Sequence, residues 1–160
     1  MSGKTTSDAT DAVELMSRSL RGASLDTLEQ YTEDAWQFHF NQATLLITCP
    51  WRIVVSNEIL LSGSDHGQKF GLPSPLDAIS ETLRILGGKV LERIEIDATT
   101  ADLRLTFSGD SRIDVFNDSS GYEGWNYPDR SGVMIIAIGG GGLAIWDNLA
   151  THGAEQPRKN

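Results

Sequence analysis

The sequence has almost no cysteine. Cys49 stands alone, so no internal disulfide and no cysteine-based zinc site can form. A single thiol in such a chain is expected to pack as a small buried hydrophobe. Long apolar runs are missing as well. The longest, Val133 to Trp146, is interrupted by four glycines and is too short to cross a bilayer. The opening stretch, MSGKTTSDAT, has no apolar segment of the kind a secretory signal requires. A soluble, cytoplasmic chain with no membrane contact is the expectation. Basic residues are in deficit: 13 Lys and Arg face 22 Asp and Glu, for a net charge of −9. The acids are spread along the chain, not gathered in a tail. Such a surface repels a phosphate backbone, which argues against nucleic-acid binding. It would attract a basic protein partner.

Recognisable catalytic and metal-binding motifs are also absent. There is no Gly-x-Ser-x-Gly elbow, no His-Glu-x-x-His, no Gly-x-Gly-x-x-Gly before a helix and no EF-hand spacing. The run Gly139 to Gly142 lacks the Lys-Ser/Thr and the helix that a phosphate loop needs. It reads instead as a tight hairpin between apolar strands. No catalytic residue, cofactor or metal ligand is therefore assigned.

What is present is packing material. Hydrophobic residues make up 39% of the 160, with four Trp, five Phe and three Tyr. That is enough for one domain with a substantial core. The best-formed stretch is Ser74 to Phe116. Ser74 is expected to cap a helix, with Pro75 at its first position and Asp77 at its third. Leu76, Ile79, Leu83 and Leu86 line one face, and Gly87-Gly88 ends it. Strands follow at Leu91–Asp97, Asp102–Phe107 and Arg112–Phe116. Asp114 alternates with Ile113 and Val115, so it is expected on the solvent face.

A similar order occurs earlier. A helix is expected over Asp8–Leu20, closed by Gly22, then strands at Leu25–Tyr31, Ala35–Phe40 and Thr44–Cys49. The last of these has an apolar run that suggests burial on both faces. After Pro50, one or two further strands cover Arg52–Ser62. At an offset of 66 residues, seven identities align, from Asp11 with Asp77 to Glu29 with Glu95. One inserted residue later, Trp36, Phe38 and Phe40 meet Leu103, Leu105 and Phe107. The pattern indicates an internal duplication. The expected fold is α+β: two pseudo-symmetric αβββ units forming a mainly antiparallel sheet or half-closed barrel with two helices. Residues 1–7 are expected to be disordered. A single domain over 8–146 divides into unit one (8–62), a seam (63–73) and unit two (74–146), with a flexible tail at 147–160. Asn117 to Gly132 reads as a polar loop.

Where the units differ, function is expected. Trp51, Tyr122, Trp125 and Tyr127 are the aromatics that alternation does not assign to the core. They are candidates for a binding surface or for covering the open end of the sheet. Trp36 belongs to the core and Trp146 to core or rim. His66, in Ser-Asp-His-Gly of the seam, could join Asp65 in acid–base work, or be a solvated turn residue. Two functional readings stand. One is a non-enzymatic protein-binding role with a basic partner. The other is a small-molecule binder or enzyme with a cleft between the units near Trp51, His66 and Trp125. A homodimer is a further option.

The closing stretch, GYEGWNYPDRSGVMIIAIGGGGLAIW, resembles a group of small uncharacterised bacterial proteins. Those chains end in a Trp-containing loop, an apolar strand, a glycine triplet and an apolar strand with Trp. The earlier Leu20-Arg21-Gly22-Ala23-Ser24-Leu25 resembles the Leu-x-Gly-x-x-Leu start seen in that group. The similarity covers residues 20 to 146. In size and acidity the chain is also similar to immunity proteins that neutralise bacterial toxins. Neither resemblance implies a catalytic residue.

Overall fold

The computed structural model describes residues 6–147. Two α-helices and eleven strands are found among the described residues. Helix α1 (Thr6–Leu20) leads into a meander of β1 (Leu25–Thr32), β2 (Ala35–Phe40) and β3 (Thr44–Ile47). A hairpin of β4 (Trp51–Val55) and β5 (Glu58–Ser62) follows. After the seam come α2 (Ala78–Leu86) and a second meander, β6 (Leu91–Ile96), β7 (Leu103–Phe107) and β8 (Ser111–Val115). The chain continues through β9 (Trp125–Pro128), β10 (Val133–Ala137) and β11 (Leu143–Asp147).

The expected α+β, mainly antiparallel architecture is what forms, with the strands in two open sheets. One has the order β1-β2-β3-β9-β10-β11, the other β5-β4-β8-β7-β6. Each sheet therefore mixes strands from both parts of the chain. The first meander is extended by β9–β11, and the second by β4 and β5. The two handovers use matching hydrogen bonds. Thr48 N–H donates to the Gly124 carbonyl at 2.9 Å, and Phe116 N–H donates to the Pro50 carbonyl at 2.9 Å. Ile47 then lies opposite Trp125, and Val115 opposite Trp51.

Alternation supplies one core between the sheets. Trp36, Phe38 and Phe40 of β2, Leu45 and Ile47 of β3, and Leu103, Leu105 and Phe107 of β7 all point into it. The sheets meet where the Trp51 ring stands edge-on to Trp36 (5.3 Å between centroids) and to Phe38 (5.1 Å). Such edge-to-face pairs stabilise beyond the area they bury. The helices bridge the sheets in opposite senses. Helix α1 touches β6 of one sheet and β10 and β11 of the other, while α2 touches β1 and β5. Ala12, Met16 and Leu20 recur every fourth residue and form the buried stripe of α1.

The helix ends obey one design. Arg21 N–H reaches the Ser17 carbonyl at 3.1 Å and Gly87 N–H the Leu83 carbonyl at 2.8 Å. Gly22 and Gly88 then take φ of +85° and +77°, a left-handed turn that a side chain would strain.

Several expectations need correction. Residues 1–5 and 148–160, including His152, lie outside the described residues. Thr6 and Ser7, expected to be disordered, belong to α1, and Asp147, expected in a flexible tail, closes β11. Helix α2 starts later than Ser74. Asp77 is its cap, its carboxylate accepting from the Ile79 and Ser80 N–H groups. The buried face is accordingly Ala78, Thr82, Ile85 and Leu86, with Ile79 and Leu83 only partly covered. Strand β3 buries one face, not two: Leu45 and Ile47 are buried and Leu46 is half-buried. The supposed polar loop at 117–132 contains β9, whose Trp125 and Tyr127 face the core.

Candidate functional site

The centre of the five-stranded sheet is built by β4, β8 and β7, and register decides which side chains meet there. Arg52 and Arg104 lie directly across from Asp114 on either side. Arg112, two residues earlier in β8, projects from the same face. All three converge on one carboxylate. Arg52 Nε donates to Asp114 Oδ2 at 3.0 Å. Arg104 Nε and Arg112 Nε donate to Oδ1 at 2.9 and 3.1 Å. Asp114 does point away from the core, as alternation requires, but it is not solvated. The three guanidiniums cover it and leave it 3% exposed.

Burial pushes the Asp114 carboxyl up, but hydrogen bonds from Arg52, Arg112 and Arg104 outweigh that and hold it below its ordinary value. It stays ionised and offsets one of three positive charges, so two remain. The arginine side chains are 34%, 45% and 30% exposed for Arg52, Arg104 and Arg112. Their Nε atoms are engaged by Asp114, and no other described residue accepts from them. Arg52 is fixed further by its guanidinium carbon lying 4.9 Å from the centre of the Phe116 ring. The result is a rigid cationic cluster on a chain of net charge −9.

Two depressions flank Phe116. One, of about 340 Å³, reaches from Phe116 and Asp114 towards Glu95, Asp97 and Asp102. The other, of about 430 Å³, is bordered by Arg52, Trp51, Cys49, Gly63, Ser64 and Asp34. Arg52 and Phe116 thus join the cluster to the end of the sandwich.

The residues picked from sequence fall in three places. Trp51 is buried, and its indole N–H finds no acceptor among the described residues. It lies against Gly63, where a Cβ would come within 2.5 Å of the nitrogen. His66 is beside this group, its ring 5.4 Å from that of Trp36. Its Nδ1 accepts from the Ala78 N–H at 3.0 Å, so it helps finish the start of α2. The surface role of Trp125 and Tyr127 is corrected: both are fully buried because β9 is an interior strand of its sheet. The Trp125 indole donates to the Ala101 carbonyl at 2.8 Å. The Tyr127 hydroxyl donates to Asp129 at 3.0 Å, and burial, then the Asp129 charge, push its pKa up. Tyr122 is 81% exposed. Trp51 and His66 are thus brought together, and Trp125, Tyr127 and Tyr122 are not part of that group. Burial, with help from Asp118 and Asp102, raises the Cys49 thiol to about 12 and keeps it protonated.

Sequence reasoning missed the arginines. Arg104 and Arg112 share the outward alternation of Asp114, a signal that was readable; Arg52 joins only through the pairing of β4 with β8.

Residues 27–147 match a family of unknown function, DUF6188. The chain belongs to the DUF6188 family. The matched span runs from within β1 to the end of β11, and so contains both sheets, α2 and all four members of the charge cluster. An uncharacterised family is what the closing Trp, glycine and apolar pattern suggested. No curated protein and no solved structure matches the chain. Across the DUF6188 span, the Arg–Asp cluster is the most developed polar arrangement on the open face of a sheet.

Proposed function

We propose that the chain is a non-enzymatic binding protein that engages a protein partner through the outer face of its five-stranded sheet. The observation that carries this is the clamping of three arginines by Asp114. A long cationic side chain normally loses considerable freedom when it binds. Here much of that ordering is already complete, which favours recognition over simple surface solvation. Arginine is also the charged residue most enriched at interfaces. Two shifted groups fit this reading: burial holds the Cys49 thiol protonated, and three guanidiniums engage the ionised Asp114 carboxylate.

The net charge first favoured a basic partner. At this face the local sign is reversed, so the contact region of the partner is acidic. A second reading, a small-molecule binder in the recess beside Phe116, is favoured by the buried unpartnered indole N–H of Trp51. We also read the chain as one domain of two copied αβββ units, a reading supported by the matching helix ends and handover bonds.

The test uses the full chain as bait in native cell extract, with chemical cross-linking. Wild type should retain a partner that the Arg52→Ala/Arg104→Ala double variant loses, while Arg84→Ala, on the exposed side of α2, retains it. Identical retention by wild type and the double variant would remove the proposal.

A further inference from the structure

We infer that the cluster of Arg52, Arg104 and Arg112 binds one phosphoryl dianion, free or esterified on the partner. This rests on the reading of that face as the recognition surface. The first argument is charge. Three guanidiniums and one buried carboxylate leave two positive charges. A phosphate monoester carries about −1.5 to −2 near neutral pH, and so balances the cluster where a single carboxylate would not.

The second argument is donor supply. Asp114 occupies only the Nε donors. Each guanidinium keeps its terminal N–H groups in the planar fork that suits phosphate oxygens. Asp114 forms the floor and fixes where those forks begin. Phe116 stops Arg52 from swinging away.

The third argument places the ligand. Glu95 lies across from Arg104, on the β6 side, and is paired with Arg93 at 3.4 Å. Asp97 caps its own turn through the Thr99 and Thr100 N–H groups, and Asp102 accepts from the Asn117 N–H. These acids all border the far side of Arg104. The dianion therefore sits over β4 and β8, between Arg52 and Arg112, where no acid among the described residues other than Asp114 contacts the guanidiniums.

The experiment is a titration of the full chain with inorganic phosphate at constant ionic strength, followed by NMR of the arginine Nε–H groups. Saturable shifts at Arg52 and Arg112 are expected with phosphate and with sulfate, and none with chloride. Arg112→Ala and Arg52→Ala should each weaken binding about tenfold or more. Arg112→Lys, which keeps the charge and the fold but not the fork, should lie between them and wild type. Arg93→Ala should bind as wild type does. A phosphoserine peptide that binds more tightly than both its serine counterpart and free phosphate would identify an esterified source; a phosphopeptide that binds no more tightly than free phosphate would identify the free anion. Shifts that chloride reproduces, or that survive in both alanine variants, would overturn the inference. If phosphate fails while the double variant still loses its protein partner, the face remains the docking surface and only the dianion is refuted.

Discussion

Replacing Asp114 by Asn is the most informative single change. The side chain keeps its size, but a charged acceptor of three hydrogen bonds becomes a neutral group with one oxygen. The amide would point its N–H₂ at a guanidinium, donor against donor. Three positive charges would then sit together with nothing between them. Removing one partner of a buried ion pair typically costs about 3–5 kcal/mol. The arginines here are roughly one-third to one-half exposed, and water relieves part of that cost. A loss of about 2–4 kcal/mol is expected at neutral pH. For a chain of this length that corresponds to a fall in Tm of about 5–12 °C. Urea denaturation of both proteins at several pH values is the assay. The folded-state pKa of Asp114 is depressed, so its contribution is fully present above the unfolded value, about 3.9. It is lost as pH falls through the lower folded value. The gap between wild type and variant should therefore be constant near neutrality and close under strongly acidic conditions. A gap below about 0.5 kcal/mol at pH 7, within the range of an ordinary surface substitution, would refute the reasoning.

Three further outcomes are expected. Trp125→Phe keeps an aromatic ring but orphans the buried Ala101 carbonyl, and should cost about 1–3 kcal/mol by chemical denaturation. Gly63→Ala places a methyl group against the Trp51 indole, and should destabilise by about 1–3 kcal/mol with an altered tryptophan emission spectrum. The Cys49 thiol, raised to about 12, should react with a disulfide reagent at pH 8 about 10²–10³-fold more slowly in the native protein than in urea. Comparable rates in the two states would contradict its burial.

The parts of the fold that rest on local rules were readable in the residues. The iterated Trp36-Phe38-Phe40 and Leu103-Leu105-Phe107 alternations placed β2 and β7 with the right faces inward. Gly22 and Gly88 marked the helix ends because left-handed φ values leave little choice. Errors arose where tertiary contacts outweigh local preference. Ser74-Pro75 has the pattern of a helix start, yet Asp77 caps two N–H groups and His66 takes that of Ala78, so the helix waits three residues. Trp125 and Tyr127 sit among Gly, Asn and Pro and looked like loop residues. Pairing of β9 with both β3 and β10 makes them core. The candidate site was hidden for the same reason. Alternation correctly aimed Asp114 away from the core and put Arg104 and Arg112 on the same face, but the third guanidinium that covers it, from Arg52, comes from more than 50 residues earlier, and no local pattern encodes it.

The crossing of β4–β5 and β9–β11 into opposite sheets has a consequence for how the chain reaches this state. The first meander cannot find its completing strands next to it in the chain, and in the second sheet β4 pairs with β8 and not with the nearer β6. The β3–β9 contact must close a long loop that encloses the whole of α2 and the second meander. Closure entropy of that kind is lost before the contact returns any stability, which slows folding relative to a simple run of hairpins. Once formed, the same interlock ties the two parts into one kinetic unit. A backbone cut in the 63–73 seam should therefore leave two fragments that stay associated, because each holds strands that the other's sheet requires.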